Sequence, residues 1–127
     1  MTEQGRTVLV IDDAEDCVAT LEVALEAVPG VAVLSARTAE QALQVMACHK
    51  VDAVITDVHL PAMNGLEFIA GLRRESRLRA LPIIVVSADP NPGGPRAALE
   101  AGADAYFAKP FSPGAVRKKV EELIHAR

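Results

Sequence analysis

The sequence has few cysteines and aromatic residues and no long apolar run. Its 127 residues include two cysteines, no tryptophan, one tyrosine and three phenylalanines. Cys17 and Cys48 lack the paired spacing of a zinc or redox motif, which predicts buried, reduced thiols. No apolar run is long enough to span a bilayer, and the N-terminus lacks the basic flank and apolar stretch of a signal peptide. We therefore expect a cytoplasmic protein without membrane insertion.

The sequence also lacks an excess of basic residues. Its 13 Lys and Arg are outnumbered by 17 Asp and Glu, for a formal net charge of −4. Binding nucleic acid through bulk charge needs a basic surface, so direct nucleic-acid binding is not expected. Half of the residues are hydrophobic, which excludes a disordered chain. We expect a single domain over residues 1–127, large enough to fold without disulfides.

Five short apolar runs recur along the chain. They are β-branched and lack the alternation of a half-solvated sheet, which is typical of parallel strands covered on both faces. The runs are VLVI (8–11), VAVL (31–34), VDAVIT (51–56), IIVV (83–86) and AYFA (105–108). Segments with helical periodicity separate them. The pattern predicts one α/β sandwich with helices on both faces of a five-stranded parallel sheet.

Local signals mark where several helices begin and end. Thr38 and Gln41 have the spacing of a capping box, and Ser112 precedes a proline at a first helical position. Between the fourth and fifth strands, three prolines and two glycines crowd residues 90–95. The fourth helix is therefore expected to be short, beginning no earlier than about Pro95 and ending at Gly102. The basic stretch RRESRLR at 73–79 is interpreted as a solvated helix end.

Charged and polar side chains stand where the predicted strands end. Asp12 and Asp13 follow the first strand, Asp57 the third, Ser87 the fourth and Lys109 the fifth. Ligands bind at the carboxyl ends of strands in open α/β sheets. Three clustered carboxylates repel one another, and all-oxygen donors favour Mg²⁺, with Mn²⁺ as a substitute. A cation, a lysine and a hydroxyl around one carboxylate suit a phosphoryl group, and the central Asp57 is the expected acceptor.

These motifs resemble the CheY-like receiver domains of bacterial two-component response regulators over essentially the whole chain. The matching segments, in order, are VLVIDDAED, VITDVHLPAMNGLEF, IIVVSA and EAGADAYFAKPF. The resemblance implies a flavodoxin-like (βα)5 fold with sheet order 2-1-3-4-5. It also implies that the chain is a signalling switch and not an enzyme, beyond catalysing its own phosphorylation and dephosphorylation.

The resemblance further implies roles for individual residues. Asp57 would accept a phosphoryl group from the phosphohistidine of a sensor histidine kinase or phosphotransfer protein. Lys109, followed by a cis Pro110, would bind the phosphoryl oxygens. Ser87 would bond the phosphoryl group, and Tyr106 would turn inward as Ser87 moves.

A metal site and partners are implied as well. The ligands of Mg²⁺ would be Asp13, Asp57, the backbone carbonyl of His59 and, partly through water, Asp12. A downstream output protein or domain would read the switch, and a homodimer formed on phosphorylation is a further option. The fourth helix departs from the family's usual length, which leaves open which face meets a partner.

Two other functions stay open at this point. The first is a Mg²⁺-dependent phosphatase or phosphotransferase that works through an aspartyl-phosphate. Such enzymes need an acidic residue two positions after the nucleophile, where this sequence has His59. The second is a receiver-like interaction module that phosphate does not switch. Simpler roles also exist for Asp12 and Asp13 as acids at a helix N-terminus, for His59 as an exposed loop residue and for Tyr106 as core packing.

Overall fold

Each of the five apolar runs forms a strand in the structure, a computed structural model that describes residues 5–125. The strands are β1 (Arg6–Ile11), β2 (Val31–Ala36), β3 (Ala53–Thr56), β6 (Ile83–Ser87) and β7 (Ala105–Ala108). They form one parallel sheet in the order β2-β1-β3-β6-β7. Counted without the short hairpin β4 (His59–Leu60) and β5 (Met63–Asn64), this is the expected order 2-1-3-4-5.

Helices cover both faces of the sheet. Their bounds are α1 (Glu15–Glu26), α2 (Ala39–Cys48), α3 (Gly65–Arg73), α4 (Gly94–Ala101) and α5 (Pro113–His125). One core contains buried side chains of α2, α3 and α4, and the other contains those of α1 and α5. The flavodoxin-like three-layer sandwich is therefore confirmed.

The continuous apolar runs follow from these two cores. In β1, Leu9 and Ile11 belong to one core while Val8 and Val10 belong to the other, and all four are fully buried. Side chains of a strand alternate between the faces of a sheet, so a strand covered on both faces must be apolar throughout. The edge strands β2 and β7 are only partly buried, so covering on both faces holds for the central strands.

Both predicted helix starts are present. Thr38 Oγ1 accepts the Gln41 N–H at 3.0 Å, and Ser112 Oγ accepts the Ala115 N–H at 3.2 Å. Gln41 Oε1 accepts the N–H of Arg37, one residue before the cap, at 2.8 Å. The short α4 is confirmed, and it begins at Gly94, one residue before the predicted start.

The structure corrects two expectations. Arg73 is the last residue of α3, but its side chain is only 18% exposed and donates to backbone carbonyls. The interpretation of 73–79 as a solvated helix end is therefore wrong for Arg73, although the other three arginines of the stretch are exposed. Cys17 and Cys48 are both free, yet Cys17 is half-buried and Cys48 is exposed, so the predicted burial of both thiols is wrong. Over residues 5–125, no helix combines the length and apolarity that crossing a membrane requires.

Candidate functional site

The ends of the strands are held in register by backbone hydrogen bonds. Asp57 N–H donates to Ile11 O at 3.0 Å, which places Asp57 beside the end of β1. Lys109 N–H donates to Ser87 O at 2.8 Å, which ties the end of β7 to the end of β6. Because the strands are parallel, their last residues meet at one edge of the sheet. The polar residues that the sequence places after the strands therefore share this edge.

Lys109 joins two aspartates from different strands. Its Nζ lies 2.7 Å from Asp12 Oδ2 and 3.0 Å from Asp57 Oδ2. Both carboxylates are buried, at 1% and 8% residue exposure. Burial disfavours the charge of Lys109, but the hydrogen bonds to Asp12 and Asp57 outweigh it and raise the pKa of the ammonium above its usual value. The three groups form a charged cluster with more negative than positive charge.

Asp12 also accepts a hydrogen bond from the backbone at the start of α1. Its Oδ1 accepts the Ala14 N–H at 2.9 Å, so its role as a helix N-terminal acid coexists with the Lys109 contact. Burial raises the pKa of Cys17 to about 12, and a hydrogen bond to Asp12 adds to the rise. Cys17 therefore remains a protonated thiol beside the site and is not a reactive thiolate.

Asp57 is oriented through both of its oxygens. Oδ1 accepts the His59 N–H at 3.1 Å while Oδ2 contacts Lys109. The ring of His59 is 67% exposed, and its Nε2 lies 3.3 Å from Asp89 Oδ2, so the pair connects the β4–β5 hairpin with the loop after β6. A carboxylate has about four lone-pair positions, so these two bonds leave acceptor capacity on Asp57.

The donors at this edge suit a hard divalent cation, since they are carboxylate oxygens and backbone carbonyls. Asp13 is exposed and, with Asp12, borders a cleft of about 400 Å³ beside α1 and β2. Within the described range 5–125, no three or more His, Cys, Asp or Glu side chains are arranged as a metal-binding set. The chemistry of the donors fits Mg²⁺, and Asp13 is the predicted ligand that stands apart from the Lys109 cluster.

Ser87 and Tyr106 lie on the side of the site that faces α4. Ser87 is fully buried, and its Oγ accepts the Asp89 N–H at 3.1 Å. Tyr106 is partly buried against the core of α2, α3 and α4. Its hydroxyl borders α4, because a Cβ added at Gly94 would lie 3.5 Å from it.

The structure thus brings Asp12, Asp57 and Lys109 into direct contact, and the Lys109–Pro110 peptide is cis as expected. Sequence reasoning missed Cys17 and Asp89. Asp89 stands two residues after Ser87 and before a proline, which is a signal for a side chain that bonds its own backbone. The contact of Cys17 with Asp12 had no comparable local signal.

The response regulator receiver domain family matches residues 8–121. Among characterised proteins, this chain is 45% identical over 104 residues to the sensory/regulatory protein RpfC of Xanthomonas campestris pv. campestris, covering 80% of this chain and 14% of RpfC. It is 34% identical over 120 residues to the alkaline phosphatase synthesis transcriptional regulatory protein PhoP of Bacillus subtilis, covering 94% of this chain and 49% of PhoP. The chain therefore spans about half or less of the length of these relatives.

Solved structures show the same fold. The chemotaxis response regulator CheY4 of Vibrio cholerae superposes with a TM-score of 0.83 at 26% identity, over 94% of this chain and 99% of that one. A CheY-like receiver domain protein of Methanospirillum hungatei gives a TM-score of 0.85 at 25% identity, over 97% and 96% of the two chains.

Proposed function

Because this chain belongs to the response regulator receiver domain family, we propose that it is the cytoplasmic phosphoacceptor switch of a two-component phosphorelay. Receiver domains are signalling modules and not enzymes in the usual sense, and they interact with histidine kinases and output domains. In our proposal, Asp57 takes the phosphoryl group from a sensor histidine kinase or phosphotransfer protein. The supporting observation is the buried Asp57 carboxylate, bonded to Lys109 and His59 N–H and retaining acceptor capacity.

The transfer exchanges one bond to phosphorus for another. An oxygen of the Asp57 carboxylate forms an O–P bond, the N–P bond of the phosphohistidine breaks, and the imidazole nitrogen keeps the electron pair. Lys109, already within 3.0 Å of Asp57, neutralises charge on the phosphoryl oxygens. Positioning and charge neutralisation are the main contributions that a protein makes to phosphoryl transfer.

Receiver domains bind Mg²⁺ at an acidic pocket, and Mn²⁺ is a chemically similar substitute. In this chain, Asp12, Asp13, Asp57 and the backbone carbonyl of His59 would hold the ion. When bound, the ion supplies positive charge that the acidic cluster lacks and that the phosphoryl oxygens require.

In our proposal, Ser87 and Tyr106 carry out the conformational change that follows phosphorylation. The Ser87 hydroxyl donates a hydrogen bond to a phosphoryl oxygen on Asp57. Tyr106 changes its position against α4 as Ser87 moves. The shift in conformation alters binding to an output protein or domain, or to a second copy of the chain.

Phosphorylation by acetyl phosphate tests the proposal. With Mg²⁺ present, intact-protein mass spectrometry should show one added phosphate, which chelation of the metal should prevent. Asp57→Asn should abolish the addition because the amide cannot form the acyl phosphate. Asp16→Asn makes the same change at an exposed position of α1 and should be phosphorylated like the wild type. Persistence of the phosphate in Asp57→Asn would overturn the assignment.

The His59–Asp89 pair supports a second candidate, a Mg²⁺-dependent phosphatase or phosphotransferase that works through an aspartyl-phosphate. A histidine oriented by a carboxylate beside the phosphoacceptor is a chemically suitable general base. Steady release of phosphate from a phosphomonoester, lost in His59→Ala, would favour this function over the switch. A third outcome, unchanged partner affinity after verified phosphorylation, would favour an interaction module that phosphate does not control.

A further inference from the structure

The edge of the sheet opposite Asp57, where the strands begin, carries exposed cations that the proposed function does not use. Two connections meet there, residues 49–52 between α2 and β3 and residues 74–82 between α3 and β6. Together they contain four cations and two anions, in a chain whose formal net charge is −4. The cations, all exposed, are Lys50, Arg74, Arg77 and Arg79. This part of the edge is therefore positively charged, although the chain as a whole is acidic.

A cleft of about 220 Å³ lies between these two connections, and we call it the amino-edge cleft. Its floor is apolar and its rim is polar or cationic. The floor consists of Met46, Val51 and Leu78, each 8–9% exposed, and the rim consists of His49, Lys50 and Arg77. Pockets for cofactors and other small molecules are larger, at about 300–1,000 Å³. The size of the cleft therefore suits one or two side chains of a partner.

Hydrogen bonds hold both walls of the cleft in place. On one side, Arg73 Nη1 donates to Leu78 O at 2.9 Å and to Leu81 O at 2.7 Å. On the other side, Asp52 N–H donates to Thr7 O at 2.8 Å. Because folding already fixes these walls, a partner would order little of the protein when it binds, which favours affinity.

The two anions near the cleft do not oppose an acidic partner strongly. Asp52 is 5% exposed, and its Oδ2 accepts the Thr7 N–H at 2.8 Å. Glu75 Oε1 pairs with Arg77 Nη2 at 3.1 Å, and both side chains are about half-exposed or more. Exposed ion pairs of this kind contribute little, so a carboxylate of a partner can replace Glu75 at small cost.

We propose that the amino-edge cleft docks an acidic peptide segment of a partner protein, with one apolar side chain between carboxylates. The apolar side chain packs on the floor, and the carboxylates pair with Lys50 and Arg77 on the rim. Nucleic acid fits less well, because a phosphate backbone has no apolar group for the floor and the chain lacks an overall basic surface. Docking at this edge leaves Asp57 accessible, so the inference does not depend on the proposed function.

Mapping of chemical shifts by NMR tests the proposal on the full chain. The isotope-labelled protein is titrated with the acetylated and amidated peptide EELEE up to about 5 mM, because contacts of this size bind weakly. Amide shifts should concentrate in residues 46–51 and 77–79. The peptide EESEE lacks the apolar side chain and should bind at least about fivefold more weakly. The peptide KKLKK lacks the carboxylates and should give no localised shifts.

Charge reversal separates the cleft from the overall charge of the protein. Lys50→Glu/Arg77→Glu should weaken the binding of EELEE about tenfold, because attraction becomes repulsion at two contacts. Arg96→Glu/Lys118→Glu makes the same change of net charge at exposed positions of α4 and α5 and should bind like the wild type. Both variants change exposed side chains only, so their spectra should keep the dispersion of a folded protein.

Four results would overturn the proposal. The first is the absence of localised shifts with EELEE at its highest concentration. The second is equal weakening in the two double variants, which would indicate general electrostatic attraction. Equally large shifts at the same residues with a thymidine octanucleotide would indicate a site for polyanions instead. Self-association of the chain that Lys50→Glu/Arg77→Glu abolishes would make a second copy the occupant. None of these measurements uses phosphate, so a failure of the proposed function would leave them unchanged.

Discussion

Two half-buried cations hold opposite edges of the sheet, and they do so by different chemistry. Lys109 lies at the carboxyl edge between Asp12 and Asp57, and Arg73 lies at the edge where β6 and β7 begin. Their side chains are almost equally exposed, at 19% and 18%. The two clusters therefore do not differ in how exposed their cations are. They differ in the groups that each cation contacts.

The guanidinium group of Arg73 donates its hydrogen bonds mainly to neutral backbone carbonyls. Nη1 donates to the carbonyls of Leu78, Arg79 and Leu81 at 2.7–3.2 Å, and Nη2 also reaches Asp104 Oδ2 at 3.1 Å. The planar guanidinium suits several fixed acceptors at once, whereas the lysine ammonium acts as a point charge. The Lys109 cluster keeps an excess of negative charge and open carboxylate lone pairs, so it can take part in chemistry. The Arg73 cluster has its donors occupied and serves the fold.

The largest expected effect is the loss of stability in Arg73→Ala. Truncation withdraws the donors from four backbone carbonyls, three of them partly buried, and from the Asp104 carboxylate, so we expect the free energy of unfolding to fall by about 3 kcal/mol. The amount of phosphate that Asp57 accepts below the unfolding transition should not change. Urea denaturation and intact-protein mass spectrometry measure the two quantities.

Arg77→Ala is the matched control for this prediction. Arg77 is 65% exposed and pairs with the half-exposed Glu75 at 3.1 Å, so its removal should cost about 0.5 kcal/mol or less. Equal losses of unfolding free energy in the two variants would show that the guanidinium of Arg73 contributes no more to stability than a surface ion pair does.

The two clusters also differ in how far the sequence predicts them. The five parallel strands and the meeting of Asp12, Asp57 and Lys109 at one edge follow from short apolar runs that end in charged residues, whereas the sheet order followed from the resemblance to the receiver family. That inference works because parallel strands carry their last residues to a common edge. It requires only the order of the strands and no knowledge of side-chain conformations.

Arg73 and Asp89 were beyond such reasoning for a physical reason. The guanidinium of Arg73 bonds residues up to 31 positions away, and a stretch with five charged residues at 73–79 looks the same in sequence whether its first arginine points outward or inward. Asp89 matters because it contacts His59 as well as its own loop. Long-range side-chain contacts of this kind depend on packing, whereas the apolar pattern depends only on burial.

Lys109→Met should show the opposite pattern to Arg73→Ala, with a smaller loss of stability and a large loss of function. Two charge-assisted hydrogen bonds disappear, so we expect a loss of about 2 kcal/mol at neutral pH. The rate of phosphorylation by acetyl phosphate should fall about 100-fold, because a positioned cation near the phosphoryl oxygens is lost. An unchanged rate would contradict the role given to Lys109.

The stability difference between wild type and Lys109→Met should depend on pH in a defined direction. The pKa of Lys109 is raised in the folded state above its usual 10.5, so folding favours the protonated form. Its contribution is complete below about pH 10.5 and is lost as the pH rises toward the folded-state pKa. Urea unfolding of both proteins should give equal differences at about pH 7 and 9 and a smaller one at about pH 11. A difference that grows with pH would contradict the sign of the shift.

The smallest expected effect concerns the close approach of Gly102 to Arg73. Gly102 has φ of 121°, and a Cβ at this position would lie 2.7 Å from Arg73 Cγ. Gly102→Ala should therefore cost about 1–2 kcal/mol, part from the strained backbone and part from displacing the arginine stem. In an Arg73→Ala background the second part disappears, so the same substitution should cost about 1 kcal/mol less. Urea unfolding of the wild type, the two single variants and the double variant measures this coupling free energy directly. Strict additivity would show that Gly102 is required only for its backbone conformation and that the Arg73 side chain can move aside at no cost in stability.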